Sequence, residues 1–478
     1  VKLRSARFEQ GVAIISSASE ISTRSKSPVL IDKTSVDLVC QKILALNDGI
    51  PLICEANSVF HLGAVTPNDP NFGNQYAHER MQSEAAWSIS TGSPSVKVAI
   101  VDTGVNYNHP DLHSNITVNS GEVMSNGIDD DGNGYIDDVY GYDFSAGDGD
   151  PVDENGHGSH CAGIVGAVGG NGIGIVGVNW QVGILPVRVL DADGSGTNAD
   201  VAAGIRYAAE RGASVVSMSL GGSDKSGSID DAITYARTLG VLVVAAAGND
   251  SSNNDVEPVY PASSNLDNVM SVAASTASDR LADFSNYGPS SVDVAAPGDE
   301  ILSTWLGSAY QYLGGTSMAT PQVAGLAGLL KATNGSLTYL DLKGIIMSSV
   351  DRVSALHGKV LSQGRINAYN AVTIAATAGP YPQPIPESSL GNSADVATLS
   401  LKSRRTGQRV LLFGNARNAY KLGVGSIKVR LYCSSLSTKS QTTDGDGFYG
   451  FKITRPRRTV TCYVRDSAGH RSSRIKVR

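Results

Sequence analysis

The sequence predicts an α/β fold: a parallel sheet with helices on both faces. Two observations carry this. Continuously apolar runs occur at VKVAIVD (Val96–Asp102), VGILPVRVL (Val182–Leu190), ASVVSMSL (Ala213–Leu220) and VLVVAAAG (Val241–Gly248). Strands that are apolar at every position are buried on both faces, as in parallel sheets. Helical runs start at His157, span Ala199–Arg211 and lie near Asp230–Leu239, so the order is βαβ. Glycine adds a third indication: 53 of 478 residues is about 11%, against a usual ~7%. There is no G-X-Y period, which excludes collagen and leaves a globular protein rich in tight turns.

Four segments follow in order. Residues 1–63 are mixed in charge and poor in glycine. DLVCQKILAL (Asp37–Leu46) reads as a short amphipathic helix ended by Asn47-Asp48-Gly49, and PLICEANSVFHL reads as a strand. Residues 64–377 hold the βαβ alternation. Residues 378–396 form a Pro/Ser-rich linker, AGPYPQPIPESSLGNSADV. Residues 397–478 show short alternating runs, RVLLFG, IKVRLYC, FYGFKI, TVTCYV and RIKVR, with Asp444-Gly445-Asp446-Gly447 as a turn. That is the pattern of a small all-β sandwich. No internal repeat is present.

Composition excludes several classes. Hydrophobic residues are 41% and charged residues 17%, so the chain is not of disordered type. No run of 18 apolar residues marks a membrane span. The net charge of −7 hides a division: residues 397–478 carry 18 Lys+Arg and 3 Asp+Glu, while the other 396 carry 20 and 42. Five cysteines are too few for a disulfide scaffold. Cys40 with Cys54 and Cys433 with Cys462 are candidate bridges, which would suit an oxidising compartment. Cys161 is the one left over. No h-region opens the chain, so a leader is expected to have been removed or not included.

Three motifs bear chemistry. Asp102 ends the run VAIVDTG, at the carboxyl end of a strand, where functional groups gather in parallel sheets. His157 stands in NGHGSHCAG, between glycines at a helix start. Glycine there allows close approach and leaves an imidazole nitrogen free. His157 and His160 do not belong to a zinc-spaced ligand set. Ser317 stands in GTSMATP before the apolar helix VAGLAGLLKA. Its hydroxyl is therefore near unpaired helix N–H groups, which favour developing negative charge. Taken singly, Asp102 also reads as a turn residue and Ser317 as a helix cap. Together they answer one need. A serine hydroxyl is a weak nucleophile at neutral pH, requires a base, and the base requires an orienting carboxylate.

On these motifs the chain resembles the subtilisin-like serine peptidases, and most of all their thermitase branch. The resemblance runs from Thr66 to Ala376. It includes Thr66-Pro67-Asn68-Asp69-Pro70, Val187-Arg188-Val189-Leu190-Asp191, Ser219-Leu220-Gly221-Gly222, Ala245-Ala246-Ala247-Gly248-Asn249 and Val294-Ala295-Ala296-Pro297-Gly298. It implies that Ser317 attacks the scissile carbonyl, that His157 is base and then acid, and that Asp102 orients His157. Asn249 and the Ser317 N–H would form the oxyanion hole. Ser219, Leu220 and Gly221 would pair with an extended substrate and wall the first specificity pocket, opposite Ala247 and Gly248. The family usually has Thr at Ser159, Ser at Gly314 and His at Gln322. Val259-Tyr260-Pro261 places a β-branched residue near the pocket floor, which implies small or medium apolar substrate side chains.

Calcium is the expected cofactor. Asp129-Asp130-Asp131-Gly132-Asn133-Gly134 resembles the first half of an EF-hand loop, with Asp129, Asp131 and Asn133 as oxygen ligands. Tyr140 occupies the twelfth position, so closure is expected from Asp137, Asp138 or elsewhere. The resemblance also implies a tight structural calcium on Asp69, Asp111 and Asn171 with the carbonyls of Ile173 and Ile175. It implies further that residues 1–63 are a propeptide remnant, template and inhibitor, cleaved near His61–Val65. The expected product is a secreted, monomeric endopeptidase of broad specificity acting on polypeptides, whose basic tail attracts polyanions or a cell surface.

Overall fold

The computed structural model describes residues 3–9, 12–17, 65–377, 398–399, 402–406, 409–417, 428–433, 436–442, 448–454, 460–465, 472 and 475–477. The expected helix at Asp37–Leu46, the strand before His61, Cys40, Cys54, the linker 378–396 and the Asp444–Gly447 turn lie outside them. The chain divides into two units, Val1–Leu62 and Gly63–Arg478. In the first, β1 (Leu3–Glu9) and β2 (Val12–Ser17) pair antiparallel.

The second unit begins with two short helices, α1 (Tyr76–Met81) and α2 (Ser83–Trp87). The apolar runs then become β3 (Gly92–Asp102), β5 (Gln181–Arg188), β6 (Val215–Met218) and β7 (Leu242–Ala246), with β4 (Tyr142–Asp143) beside β5. Next come β8 (Val269–Ser275), β9 (Val294–Pro297), the hairpin β10 (Ile301–Thr304) and β11 (Tyr310–Leu313), β12 (Asp351–Arg352) and β13 (Gly364–Arg365). The main sheet has the order β12-β13-β9-β8-β7-β6-β3-β5-β4. Every neighbouring pair in it is parallel except β12–β13.

The helices between the strands are α3 (His157–Gly166), α4 (Asn198–Glu210), α5 (Gly227–Thr238), α6 (Thr316–Thr333), α7 (Tyr339–Ser348) and α8 (Ala368–Thr377). Strand side chains alternate between faces, and each face has its own core. Val98 and Ile100 of β3 pack with α3 and α6, whereas Ala99 and Val101 pack with α4 and α5. This is why the strands read as unbroken apolar runs. β3 lies between β5 and β6, so the strand order reverses beside it and a crevice opens past its carboxyl end.

Beyond the α/β domain, β14 (Thr398–Leu399), β15 (Lys402–Thr406), β16 (Arg409–Arg417) and β19 (Phe448–Thr454) form one sheet. β17 (Lys428–Cys433), β18 (Leu436–Thr442), β20 (Val460–Arg465) and β21 (Ile475–Val477) form another. Cys433 and Cys462 face each other across β17 and β20 and are joined by a disulfide. Cys161 is free and buried.

Candidate active site

The crevice collects the three motif residues from three elements. Asp102 is the last residue of β3 and is buried. His157 begins α3, and Ser317 is the second residue of α6. Asp102 Oδ1 lies 2.7 Å from His157 Nδ1 and also accepts the Thr103 N–H at 2.8 Å. With Nδ1 so engaged, Nε2 is the nitrogen left for a reacting group. Burial opposes charge on His157, but the charge and hydrogen bond of Asp102, with the charge of Asp153, outweigh it and raise its pKa above the ordinary value. Gly156 precedes His157 at φ +107°, and a side chain there would meet the Trp305 ring at 2.5 Å. A glycine is required on both counts.

Ser317 Oγ donates to the Ser219 carbonyl at 3.2 Å. Pro321 explains how its main chain is held. A residue at that helical position would donate its N–H to the carbonyl four residues earlier, and proline has none. The carbonyl so freed belongs to Ser317. It accepts instead from the Ser219 hydroxyl at 2.8 Å and the Cys161 thiol at 3.5 Å. Burial keeps the Cys161 thiol far above its usual pKa, so it is a neutral packing group rather than a thiolate.

Asn249 follows β7 across the crevice. Its Oδ1 accepts the Thr316 N–H at 2.8 Å and the Thr316 hydroxyl at 3.0 Å. Those two bonds assign the amide oxygen to Thr316 and leave Nδ2 as a donor. Thr316 is buried, and its hydroxyl also accepts the Gly248 N–H at 3.2 Å. A cleft of about 660 Å³ is lined by His157, Leu220, Gly221 and the Gly194-Ser195-Gly196 turn. Ile229 and Leu190 line it too. A methyl group added at Gly221 would sit 3.0 Å from Val259 Cγ1, and one added at Gly248 would sit 3.3 Å from Val259 Cγ2. Val259 therefore bridges the segments Ser219–Gly221 and Ala247–Gly248.

Two acidic sites accompany the crevice. Asp69 Oδ2 accepts the Gly170 N–H at 2.8 Å, while its buried Oδ1 has no partner. Asp111 accepts from Asn171 Nδ2 at 2.7 Å, from the Ile175 N–H at 3.0 Å and from the Tyr310 hydroxyl at 3.1 Å. Asn171 Oδ1 accepts the Ile173 N–H at 2.7 Å. Burial raises the pKa of Asp69, and burial with the nearby Asp69 charge raises Asp111 to about 6. Two buried carboxylates, one oxygen unpartnered, suit a hard cation with oxygen ligands.

In the second site, ligand oxygens of Asp129, Asp131 and Glu122 lie within 4.8 Å of one another. Glu122, upstream of the motif, is thus the third carboxylate of this cluster. Asp137 accepts the N–H groups of Asn126 and Gly127, both at 3.0 Å. Asp138 is fully buried and accepts from the Tyr207 hydroxyl at 2.7 Å and from Asn119 at 2.6 Å. Glu122 is engaged in the same way, accepting the N–H groups of Asp131 and Asp137, both at 3.1 Å. Asn133 Oδ1 accepts the Tyr135 N–H at 2.8 Å, and its Nδ2 donates to Asp138.

Sequence reasoning missed Thr316, Gly194–Gly196 and Glu122. Only the DADGSGT turn (Asp191–Thr197), rich in glycine after a strand, signalled one of them.

The subtilase family model matches residues 93–367. Thermitase of Thermoactinomyces vulgaris is 45% identical over 308 residues, covering 64% of this chain and 99% of that protein. A thermophilic serine proteinase of Bacillus sp. (strain AK1) is 42% identical over 334 residues, covering 69% and 75%. Among solved structures, a protease from Pseudoalteromonas arctica PAMC 21717 is similar with a TM-score of 0.55 and 32% identity, over 65% of this chain and all of that one. The chain belongs to the subtilase family and is a serine-type endopeptidase close to the thermitase branch.

Proposed function

We propose that the protein is a secreted, calcium-stabilised endopeptidase that cleaves polypeptides with broad specificity through an acyl-enzyme formed on Ser317. The observation that carries the catalytic assignment is the 2.7 Å contact of His157 Nδ1 with Asp102, which leaves Nε2 for a reacting group; His157 lines the same cleft as Ser219, whose carbonyl Ser317 Oγ reaches. Ser317 Oγ turns from the Ser219 carbonyl toward Nε2, gives up its proton and bonds to the scissile carbonyl carbon. The oxyanion so formed is stabilised by Asn249 Nδ2 and the Ser317 N–H, one of the unpaired donors of the first helical turn. His157 returns the proton to the leaving amine, and water then repeats the sequence on the ester. Ser219, Leu220 and Gly221 hold the substrate backbone, with Ala247 and Gly248 opposite. The test is covalent labelling of Ser317 by a fluorophosphonate. An unlabelled serine in processed protein would favour a silent binding protein instead.

Calcium would be held by Asp69, Asp111, Asn171 and the carbonyls of Ile173 and Ile175, and by Asp129, Asp131 and Asn133 with Glu122. Asp137 and Asp138 are the further candidate ligands of that second loop. Bound calcium supplies charge neutralisation and a cross-link between loops, and it stabilises the folded state by binding it selectively.

The remaining assignments concern the ends. Residues 1–63 are read as the propeptide remnant and 64–377 as the peptidase domain, with 378–396 as linker and 397–478 as a basic β-sandwich domain. N-terminal sequencing of active enzyme tests the first. A start within His61–Val65 is expected, and full activity with Val1 retained would refute it. For the tail, a polyanion-binding role is supported by Arg430 and Arg465, which are directly opposite across β17 and β20 and both exposed. Like charges placed opposite destabilise a sheet, so an anion is the natural complement. Retention of the tail on heparin tests this, and elution at very low salt would refute it. Among the described residues no helix is long and apolar enough to cross a membrane.

A further inference from the structure

Four residues before His157, the Asp153 carboxylate is only 5% exposed and accepts five hydrogen bonds. Oδ1 receives the Thr103 hydroxyl at 2.9 Å and the N–H groups of Asn155 at 3.0 Å and Gly156 at 2.9 Å. Oδ2 receives the N–H of Ser159 at 2.8 Å and its hydroxyl at 2.6 Å. The Thr103 hydroxyl in turn accepts the Gly158 N–H at 3.0 Å. Thr103 directly follows Asp102, while Asn155, Gly156 and Ser159 surround His157. One carboxylate therefore ties the segment bearing Asp102 to the segment bearing His157.

Chain reversal alone does not call for this arrangement. The residue at the N-cap of α3 is Gly156, which has no side chain to cap with. A neutral Asn or Ser could cap one or two N–H groups without burying a charge. An amide oxygen cannot accept five donors, whereas a carboxylate has about four lone-pair sites and takes shared donors. None of the five donors is a cation. Arg188, a permanent cation whose charge Asp153 also favours, is bonded to Asp143, Glu154 and the carbonyls of Val152 and Leu190. The Asp153 charge is thus not cancelled by direct pairing.

We propose that Asp153 is a positioning residue for proton transfer: it clamps the Asp102 and His157 segments in register and supplies a second negative charge toward the imidazole. The inference rests on His157 serving as general base. The charged and titratable groups around His157 are few. Asp102 faces it from β3 and Asp153 from the preceding loop. His160, one turn on, is held neutral by burial, with its pKa lowered to about 4, and Cys161 is a buried neutral thiol. Asp102 and Asp153 both favour the imidazolium formed when Ser317 gives up its proton.

The test is the pH profile of kcat/KM for Asp153→Asn and Thr103→Val beside the wild type. Asp153→Asn removes the charge. Its acid limb should move down by roughly half a unit to one unit, less than the 1–3 units of a partner in direct contact. Thr103→Val removes the link between segments and keeps the charge. Its kcat should fall about tenfold with KM little changed and the limb unmoved, since small misplacements of catalytic groups cost up to about 10². An unmoved limb in Asp153→Asn, or an unchanged kcat in Thr103→Val, overturns the proposal. Thr103→Val keeps every backbone donor to Asp153 and carries the test alone if Asp153→Asn does not fold. Fluorophosphonate labelling of wild-type Ser317 reports the triad reading separately, so labelling with an unmoved limb sinks only this inference.

Discussion

Val259→Gly should convert a shallow specificity pocket into a deep one. Val259 places Cγ1 against Gly221 and Cγ2 against Gly248, so its side chain spans the two walls where the acyl-side residue of the substrate (P1) would enter. Glycine removes three carbon atoms from that span. A substrate side chain that fills the space gains about 0.8 kcal/mol per buried methylene equivalent, or about 2.4 kcal/mol in all. That corresponds to roughly 60-fold in kcat/KM, inside the range of about 10–200-fold over which apolar pockets discriminate by one methylene group. The assay is a peptide series varied only at P1, with Ala, Leu and Phe. The Phe-to-Ala ratio should rise about 60-fold, mainly through faster cleavage of Phe, with Ala little changed. A ratio that stays within about threefold of wild type would show that Val259 is not the floor, and the reasoning from the glycine contacts would fail.

Other outcomes follow from the same geometry. Asn249→Ala should lower kcat by about 10²–10³ with a small effect on KM, measured by steady-state kinetics. Because the neighbouring carboxylates favour the protonated imidazole, His157 is fully neutral only at higher pH than a free histidine. The acid limb of kcat/KM should therefore lie above about 6.5, and a limb below it would contradict the raised pKa. Calcium at a thousand times its Kd should add about 4 kcal/mol of stability. Calorimetry with and without chelator should show the shift, and Asp69→Asn should remove the part contributed by the Asp69–Asp111 site. Iodoacetamide should leave activity intact in folded enzyme, because the Cys161 thiol is buried and protonated.

The three motif residues proposed as catalytic stood out in the sequence because each carries its own local context. Asp102 ends an apolar strand, His157 sits among glycines, and Ser317 precedes a long apolar helix. Residues that act across the fold had no such context. Asp153 meets Thr103 from fifty positions away in sequence, and Thr316 meets Asn249 from sixty-seven. Glu122 completes an acidic cluster from outside the motif that announced it. The same distinction holds for elements. β3 and β7 were readable because both faces are apolar. The strand Lys402–Thr406 is polar throughout, Leu436–Thr442 is polar after its first residue, and neither showed a period to read. α3 is buried on all sides after its first residue, so its start was legible from glycine and not from amphipathicity.

Pro321 has a kinetic consequence. Because the Ser317 carbonyl is anchored by Ser219 and not by its own helix, the nucleophile's main chain takes its alignment from the strand along which a peptide would lie. Docking of residues remote from the cleavage point can then be felt at the reacting atom as alignment, beyond its contribution to affinity. Substrates shortened one residue at a time should lose kcat while KM changes little, the pattern expected when distant contacts are used to align the reacting groups. In this enzyme a missing hydrogen on one proline would make substrate length a determinant of turnover.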